Sequence, residues 1–252
     1  MIKKIKAFAL HFLLSGIVIL CFVGLIRVIW YPEPFLKAEG GLEIILLLIG
    51  VDLILGPTLT AVVYKPGKKG LFFDLALIVL IQLFALVYGM QTLYKERPQY
   101  VAFVVDRFTT VPAASIEIDE LLDKNLLTKV FDKPRLVFIE LEENPDIRYK
   151  ILMESVYGGK GYPGRPEYYR NISDFIDTVN NDDRQLKLEN ILRIHPETEK
   201  TIRELAASGD RRLDQLIFYP LKGKRKHMVL VLDRSDLTVL AGLDVDPWSV
   251  NR

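Results

Sequence analysis

Leu42-Glu-Ile-Ile-Leu-Leu-Leu-Ile-Gly-Val-Asp52-Leu-Ile-Leu-Gly56-Pro57-Thr-Leu-Thr60-Ala-Val-Val-Tyr64 is a run of 23 residues with two carboxylates and no basic side chain. About 20 apolar helical residues cross the hydrocarbon core of a bilayer, so this stretch is long enough to span one. It lacks the polar face that a surface helix of a soluble protein needs. Two similar runs flank it, Ala7–Trp30 with 24 residues and Leu71–Leu93 with 23. The sequence therefore divides into a short start (1–6), a three-span transmembrane region (7–94, with spans 7–30, 42–64 and 71–93) and an outer domain (95–252).

Charge follows the same division. Eight of the 33 Lys/Arg and five of the 32 Asp/Glu lie before residue 95 of this 252-residue chain. A membrane-like third is thus joined to a water-like remainder, and the mean hydropathy of +0.20 is an average over two different solvents. That excludes a simple soluble enzyme, a disordered chain and a pure membrane channel. A net charge of +1 gives no reason to expect nucleic acid as a partner. The single cysteine, Cys21, permits no internal disulfide and no multi-cysteine metal or redox motif. It is not a lipoprotein cysteine, because Leu20 is too bulky before it and the apolar run continues beyond. A cleaved leader is disfavoured too, since a leader's apolar core is typically about 7–15 residues with a small-residue cleavage site.

Loop charge gives the direction. Lys3, Lys4 and Lys6 precede the first span, and Lys65, Lys68 and Lys69 crowd the tight turn between the second and third. The Tyr31–Gly41 connection sets Lys37 against Glu33 and Glu39. By the positive-inside rule the N-terminus is cytoplasmic, the chain crosses three times, and the C-terminal domain is periplasmic in a bacterial inner membrane. Trp30, Tyr31, Tyr64, Tyr88 and Tyr94 lie near span ends, where interfacial aromatics belong.

Ionisable groups within the spans are costly and need a reason. Counting depth along the helices, His11 and Asp74 could pair near one face, and Arg27 and Glu43 could pair near the other or reach out to the interface. Asp52 is ten residues into its span, near the midplane, where Gln82 of the third span offers a hydrogen-bond partner. Asp52, Gly56 and Thr60 recur every four residues on one helical face, and Gln82, Ala85 and Gly89 share another. Pro57 lacks a backbone donor and frees the carbonyl of Leu53. Small and polar faces are where membrane helices meet. Three readings stay open: internal packing, a docking groove for another protein's transmembrane helix, and a proton or ion path.

In the outer domain, Tyr100–Val105 and Arg135–Leu141 read as strands. Asn144-Pro145-Asp146 is a helix start, with the helix running to about Gly158. Tyr168–Val179 and Pro196–Ala207 show helical spacing. Gln215–Leu221, His227–Asp233 and Leu237–Val245 read as strands, the last two as a hairpin. The fold class expected is a three-helix transmembrane anchor followed by an α+β extracytoplasmic domain.

Chemistry is scarce there. The glycine-rich Gly158–Gly164 lacks the spacing of a phosphate-binding loop and reads as a mobile loop with solvated Lys160 and Arg165. His195 and His227 are isolated, and Glu140, Glu142, Glu143 and Asp146 read as helix-start charges. No catalytic, cofactor or metal site is expected. Tyr157, Tyr162, Tyr168 and Tyr169 with Arg165 and Arg170 form a candidate recognition loop, because Tyr and Arg are favoured at interface hot spots. The competing reading is a Tyr-rich turn packed on its own domain.

Trp30-Tyr-Pro-Glu-Pro-Phe35, Val51-Asp-Leu-Ile-Leu-Gly-Pro-Thr-Leu-Thr60, Val63-Tyr-Lys-Pro-Gly-Lys-Lys69 and Phe73-Asp-Leu-Ala76 resemble the type IV pilin accessory proteins of the TfpX/TfpZ family. The resemblance continues through Gln82–Gly89, Arg97-Pro98 and Asp106-Arg-Phe108, covering residues 1 to about 110. It implies an inner-membrane factor, not an enzyme, that helps a cognate type IV major pilin assemble. Its partners would be that pilin, the lipid bilayer and other pilus assembly components. Asp52, Gly56, Pro57 and Asp74 are the matching positions most worth testing. The alternative is a membrane-tethered ligand-binding sensor subunit working with a signalling partner, against which the six-residue inner segments count.

Overall fold

The structure, a computed structural model, describes residues 2–250. Its first part is four helices: α1 (Ile2–Trp30), the short α2 (Phe35–Glu39), α3 (Gly41–Val63) and α4 (Leu71–Glu96). α1, α3 and α4 are long and apolar enough to cross a membrane. Their outward side chains are apolar all round, with Leu13, Phe72 and Phe84 more than half exposed; in water such a surface would be untenable, and in lipid it is the expected one. α1 begins at Ile2, five residues before Ala7, and α4 continues to Glu96, three residues past Leu93, so each outlasts its apolar run.

The second part is a seven-stranded mixed sheet with helices on its faces. Its strands are β1 (Pro98–Val104), β2 (Arg107–Pro112), β3 (Arg135–Ile139), β4 (Tyr169–Asn171), β5 (Leu216–Lys222), β6 (His227–Asp233) and β7 (Val239–Leu243). Their order across the sheet is β4-β3-β1-β2-β5-β6-β7. β1 runs parallel to β3 and β2 parallel to β5, while the remaining neighbours are antiparallel. The helices are α5 (Pro145–Val156), α6 (Ile176–Asn180), α7 (Leu188–Ile194) and α8 (Glu199–Ser208). This is the expected anchor plus α+β domain.

Alternation along the strands buries both faces. Val101, Phe103, Ile217, Tyr219, Leu230 and Leu232 fill one core. Phe218, Val229 and Val231 point the other way, onto Ile191 of α7 and Ile202 of α8. Tyr100, Ala102, Val137 and Tyr169 form a third cluster near the β4 edge. The first core also receives Phe35 and Ala38 of α2, so the connection between the first two spans is part of the domain's interior.

One expected helix changes, and one strand, β2, lies where the sequence reading placed no element. Tyr168–Val179 is not one helix: Tyr169–Asn171 is edge strand β4, Ile172–Phe175 a 3₁₀ turn, and only Ile176–Asn180 is α-helical. The strand wins because Tyr169 is fully buried edge-on against Tyr100, ring centroids 5.2 Å apart, and Asn171 caps Ser173 N at 3.3 Å. β2 carries no turn signal before it. Val105, at the hairpin tip, has φ +58°, and Asp106 N donates to Val104 O at 2.6 Å. A β-branched residue is a poor fit to that conformation, which hides the hairpin from a sequence reading. The expected helix after Asn144 is present, with Asn144 Oδ1 accepting from Asp146 N at 2.9 Å.

Candidate functional site

α3 is the central helix of the bundle, with α1 and α4 both packed on it. Near the α+β domain the three close on a shared core of Phe22, Ile26, Trp30, Leu48, Leu86 and Leu93. Gly89 makes this possible, since a Cβ there would lie 2.8 Å from Leu48 Cδ1. Farther from the domain α1 and α4 leave an open cleft of about 640 Å³ between them. Leu10, Leu14 and Val18 form one wall, Leu75, Val79 and Leu83 the other. The floor is polar, made by His11, Asp52, Thr60 and Gln82, and Lys3, Lys6 and Tyr64 stand at the mouth.

The backbone around Asp52 is irregular. Gly50–Leu55 is π-helical, with Gly56 N reaching back to Val51 O, and Pro57 follows at once. Such bulges widen a helix by one residue per turn and gather at functional sites. Asp52, 5% exposed, faces α4 here. Gln82 Nε2 donates to Asp52 O at 3.2 Å and to Asp52 Oδ1 at 3.3 Å. Gln82 Oε1 is buried and makes no hydrogen bond among the described residues. Gly56 gives the amide its room, because a Cβ there would sit 2.1 Å from Gln82 Nε2. One turn on, Thr60 Oγ1 lies 2.7 Å from His11 Nδ1, tying α3 to α1.

Asp52, Gly56, Thr60 and Gln82 thus come together as the spacing implied, with Pro57 buried in the same segment. Asp74 does not join them. It pairs with Lys68 of the preceding turn, which leaves His11 to Thr60 rather than to Asp74. Arg27 likewise pairs with Glu33 at 3.5 Å, both side chains exposed, and not with Glu43. In each case the charge takes a partner in the adjoining loop, where water is at hand, instead of one across the bundle.

The tyrosine-rich segment is largely occupied by its own domain. Tyr162 and Tyr168 stack edge-on at 5.2 Å and both bond Glu142: Glu142 N donates to Tyr162 Oη at 3.3 Å, and Tyr168 Oη to Glu142 Oε2 at 3.2 Å. Nearby carboxylates and partial burial raise the Tyr168 phenol above its ordinary value, burial first. Tyr169 Oη donates to Pro163 O. Arg165 pairs with Glu154 and Glu167, and Arg170 with Glu140 at 2.8 Å. Lys160 is exposed as expected, paired with Glu117, whereas Arg165 is half-buried. Of the six residues singled out, Tyr157 stands free, 82% exposed. It continues a stripe on α5 through Tyr149, Leu152 and Val156, each more than half exposed. The sequence reading passed over that stripe because an apolar helix face is normally a buried one.

No family model and no solved structure matches the chain. Three curated relatives from Dichelobacter nodosus do. The fimbrial assembly proteins of serogroups I and E1 are each 26% identical over 251 residues, 97% of this chain and 96% of the relative. The fimbrial assembly protein of serogroups C1 and C2 is 39% identical over 118 residues, 46% of this chain and 90% of the relative. Since that shorter relative is spanned almost whole and the longer two match end to end, the chain belongs to the family of fimbrial assembly proteins.

Proposed function

We propose that this chain is an accessory factor of the bacterial inner membrane, of the TfpX/TfpZ kind, that binds a type IV major pilin before assembly and does no chemistry itself. In this reading the N-terminus is cytoplasmic and the α+β domain periplasmic, which the lysines at 3–6 and 65–69 support through the positive-inside rule. The observation that carries it is the open cleft between α1 and α4: apolar walls, a polar floor, and a length of helix on either side. A pilin awaiting assembly keeps an apolar helix in the membrane and a globular head outside. The cleft offers that helix the small and polar contacts by which membrane helices associate. The domain above it offers the head a second contact, and two weak contacts on one partner reinforce each other through effective concentration.

The test is photocrosslinking from the cleft wall, with the reactive residue replacing Leu14 or Val79, in cells that make pilin. Crosslinks to pilin are expected, reduced several-fold by Asp52→Leu, with fewer pili. Unchanged crosslinking and unchanged piliation in Asp52→Leu would remove the membrane half of the proposal.

A further inference from the structure

Between β2 and β3 the chain makes a tight turn whose tip is apolar. Lys129 N donates to Asp132 Oδ2 at 2.7 Å and Asp132 N to Lys129 O at 3.2 Å, a double staple that leaves Val130 and Phe131 at the apex. Turn tips in water are the province of Gly, Asn, Asp, Pro and Ser. Here Phe131 is 67% exposed and Val130 44%, with Leu127, 42% exposed, beside them. The staple fixes the turn, so its apolar tip is not a product of a loose loop.

The position of this turn is fixed by the end of a span. Trp30 Nε1, in the last turn of α1, donates to Val130 O at 2.8 Å. The Trp30 ring packs edge-on against Tyr94 of α4, centroids 5.3 Å apart. A second bond, Gln99 Nε2 to Thr128 Oγ1 at 2.7 Å, ties the same segment to the start of β1, three residues beyond α4. The turn therefore lies at the level where two spans leave the apolar layer. Aromatic side chains with a polar handle mark that level in membrane proteins. Lys129 and Lys133 are both exposed and flank the tip, as cations do beside apolar side chains that enter an interface.

We infer that the Lys129–Asp132 turn is an interfacial anchor, its Val130–Phe131 tip seated in the headgroup and acyl boundary of the bilayer that α1, α3 and α4 cross. The occupant of this patch is lipid because the Trp30 bond holds the exposed Val130–Phe131 tip at the level where α1 and α4 leave the apolar layer. The consequence is mechanical. With its tip seated beside the ends of α1 and α4, the β2–β3 connection holds that part of the domain against the membrane. The inference rests on the three helices being membrane spans, and its test separates the two.

In a Cys21→Ala background, nitroxide labels are placed at Phe131→Cys, at Phe84→Cys on the exposed side of α4, and at Asp236→Cys in the β6–β7 turn. The full chain is reconstituted in vesicles of phosphatidylethanolamine and phosphatidylglycerol. Power-saturation EPR then compares access by oxygen, which concentrates in lipid, with access by an aqueous nickel chelate. The oxygen-to-nickel ratio at 131 is expected to be several-fold above that at 236 and below that at 84. A ratio at 131 equal to that at 236, with 84 still deep in lipid, overturns the anchor and leaves the spans standing. Low access to both reagents at 131 overturns it in favour of protein contact, such as a second copy. A label at 84 open to nickel would overturn the spans themselves.

Discussion

The most informative single atom in the bundle is one that is missing, the Cβ of Gly56. Gln82 reaches Asp52 only by passing over that glycine, where a Cβ would be 2.1 Å from Nε2 and 2.6 Å from Oε1. Gly56→Ala would thus push the amide out and strand Asp52 in an apolar layer. Hydrogen bonds between membrane helices contribute about 0.6 kcal/mol on average and up to roughly 1.7. A loss of about 1–2 kcal/mol is therefore expected, read as a lowered midpoint of unfolding in detergent. Gly50→Ala is the control, since nothing lies within 4 Å of a Cβ there. The clash and the bond share one partner, so the variants should not add. In the Gln82→Ala background, Gly56→Ala should cost close to nothing. Equal penalties in the two backgrounds would mean that Gly56 acts on its own helix and not through Gln82. This pairing was legible in sequence, because depth counted along two helices sets Asp52 opposite Gln82. The partner of His11 was not, since spacing gives depth but not which of two neighbouring helices a side chain faces.

At the scale of elements, the β6–β7 hairpin shows a carboxylate holding a turn. Asp233 Oδ1 accepts from Ser235 N at 2.9 Å and Ser235 Oγ at 2.6 Å, and Oδ2 accepts from Arg211 Nε. These contacts, Ser235 first and Arg211 after it, hold the Asp233 carboxyl below the usual aspartate range. The folded state thus prefers the ionised form. Its contribution is complete above the unfolded value of about 3.9 and is lost as pH falls through the lower folded value. Asp233→Asn should destabilise the domain by roughly 1–3 kcal/mol at neutral pH, and the difference from the unmodified chain should shrink below about pH 4. Urea melts at pH 7 and pH 3.5 measure this, and a penalty independent of pH would assign the effect to lost shape rather than charge. The hairpin itself was plain in sequence, because two apolar strand-like runs, His227–Asp233 and Leu237–Val245, flank the short polar turn Arg234-Ser-Asp236. β2 and β4 were not. β2 follows a turn built on Val105 rather than glycine, and β4 is a strand of three residues whose pairing with β3 is a long-range contact. The tyrosine-rich segment was half legible: five of its six residues meet one another or nearby carboxylates while Tyr157 stands apart, and sequence does not count the carboxylates that come to meet them.

For the molecule as a whole, what matters is how firmly the bundle and the domain are joined, because a grip on one partner at two places needs a fixed distance between them. The junction is not the single covalent link after Glu96. α2 enters the domain's core through Phe35 and Ala38. Ala38 O accepts from Arg225 N at 2.9 Å and Lys226 N at 3.1 Å, and Gly223 is open for it, since a Cβ there would come within 2.5 Å of that oxygen. Glu39 Oε1 accepts from Thr110 Oγ1 at 2.5 Å and Lys224 N at 3.2 Å, and Lys224 Nζ pairs with Glu96 at the end of α4. Hence the domain is incomplete without a segment that precedes two of the spans. A soluble fragment of residues 97–252 should lack one wall of its core. Joining residues 31–41 to its C-terminus by a flexible linker should restore that wall. Full burial of a side chain such as Phe35 stabilises by about 1.5–3 kcal/mol, and the backbone bonds to Ala38 add to it. The tethered fragment should therefore be more stable by about 2–4 kcal/mol in a denaturant melt, once the modest cost of closing the linker is met. Phe35→Ala in the tether should remove most of the gain, which separates docking of α2 from a nonspecific effect of the tail. If fragments with and without residues 31–41 unfold at the same denaturant concentration, α2 does not couple the bundle to the domain, and the fixed geometry that a two-point grip requires must come from the remaining contacts, Trp30 with Val130 and Lys224 with Glu96, or from the partner.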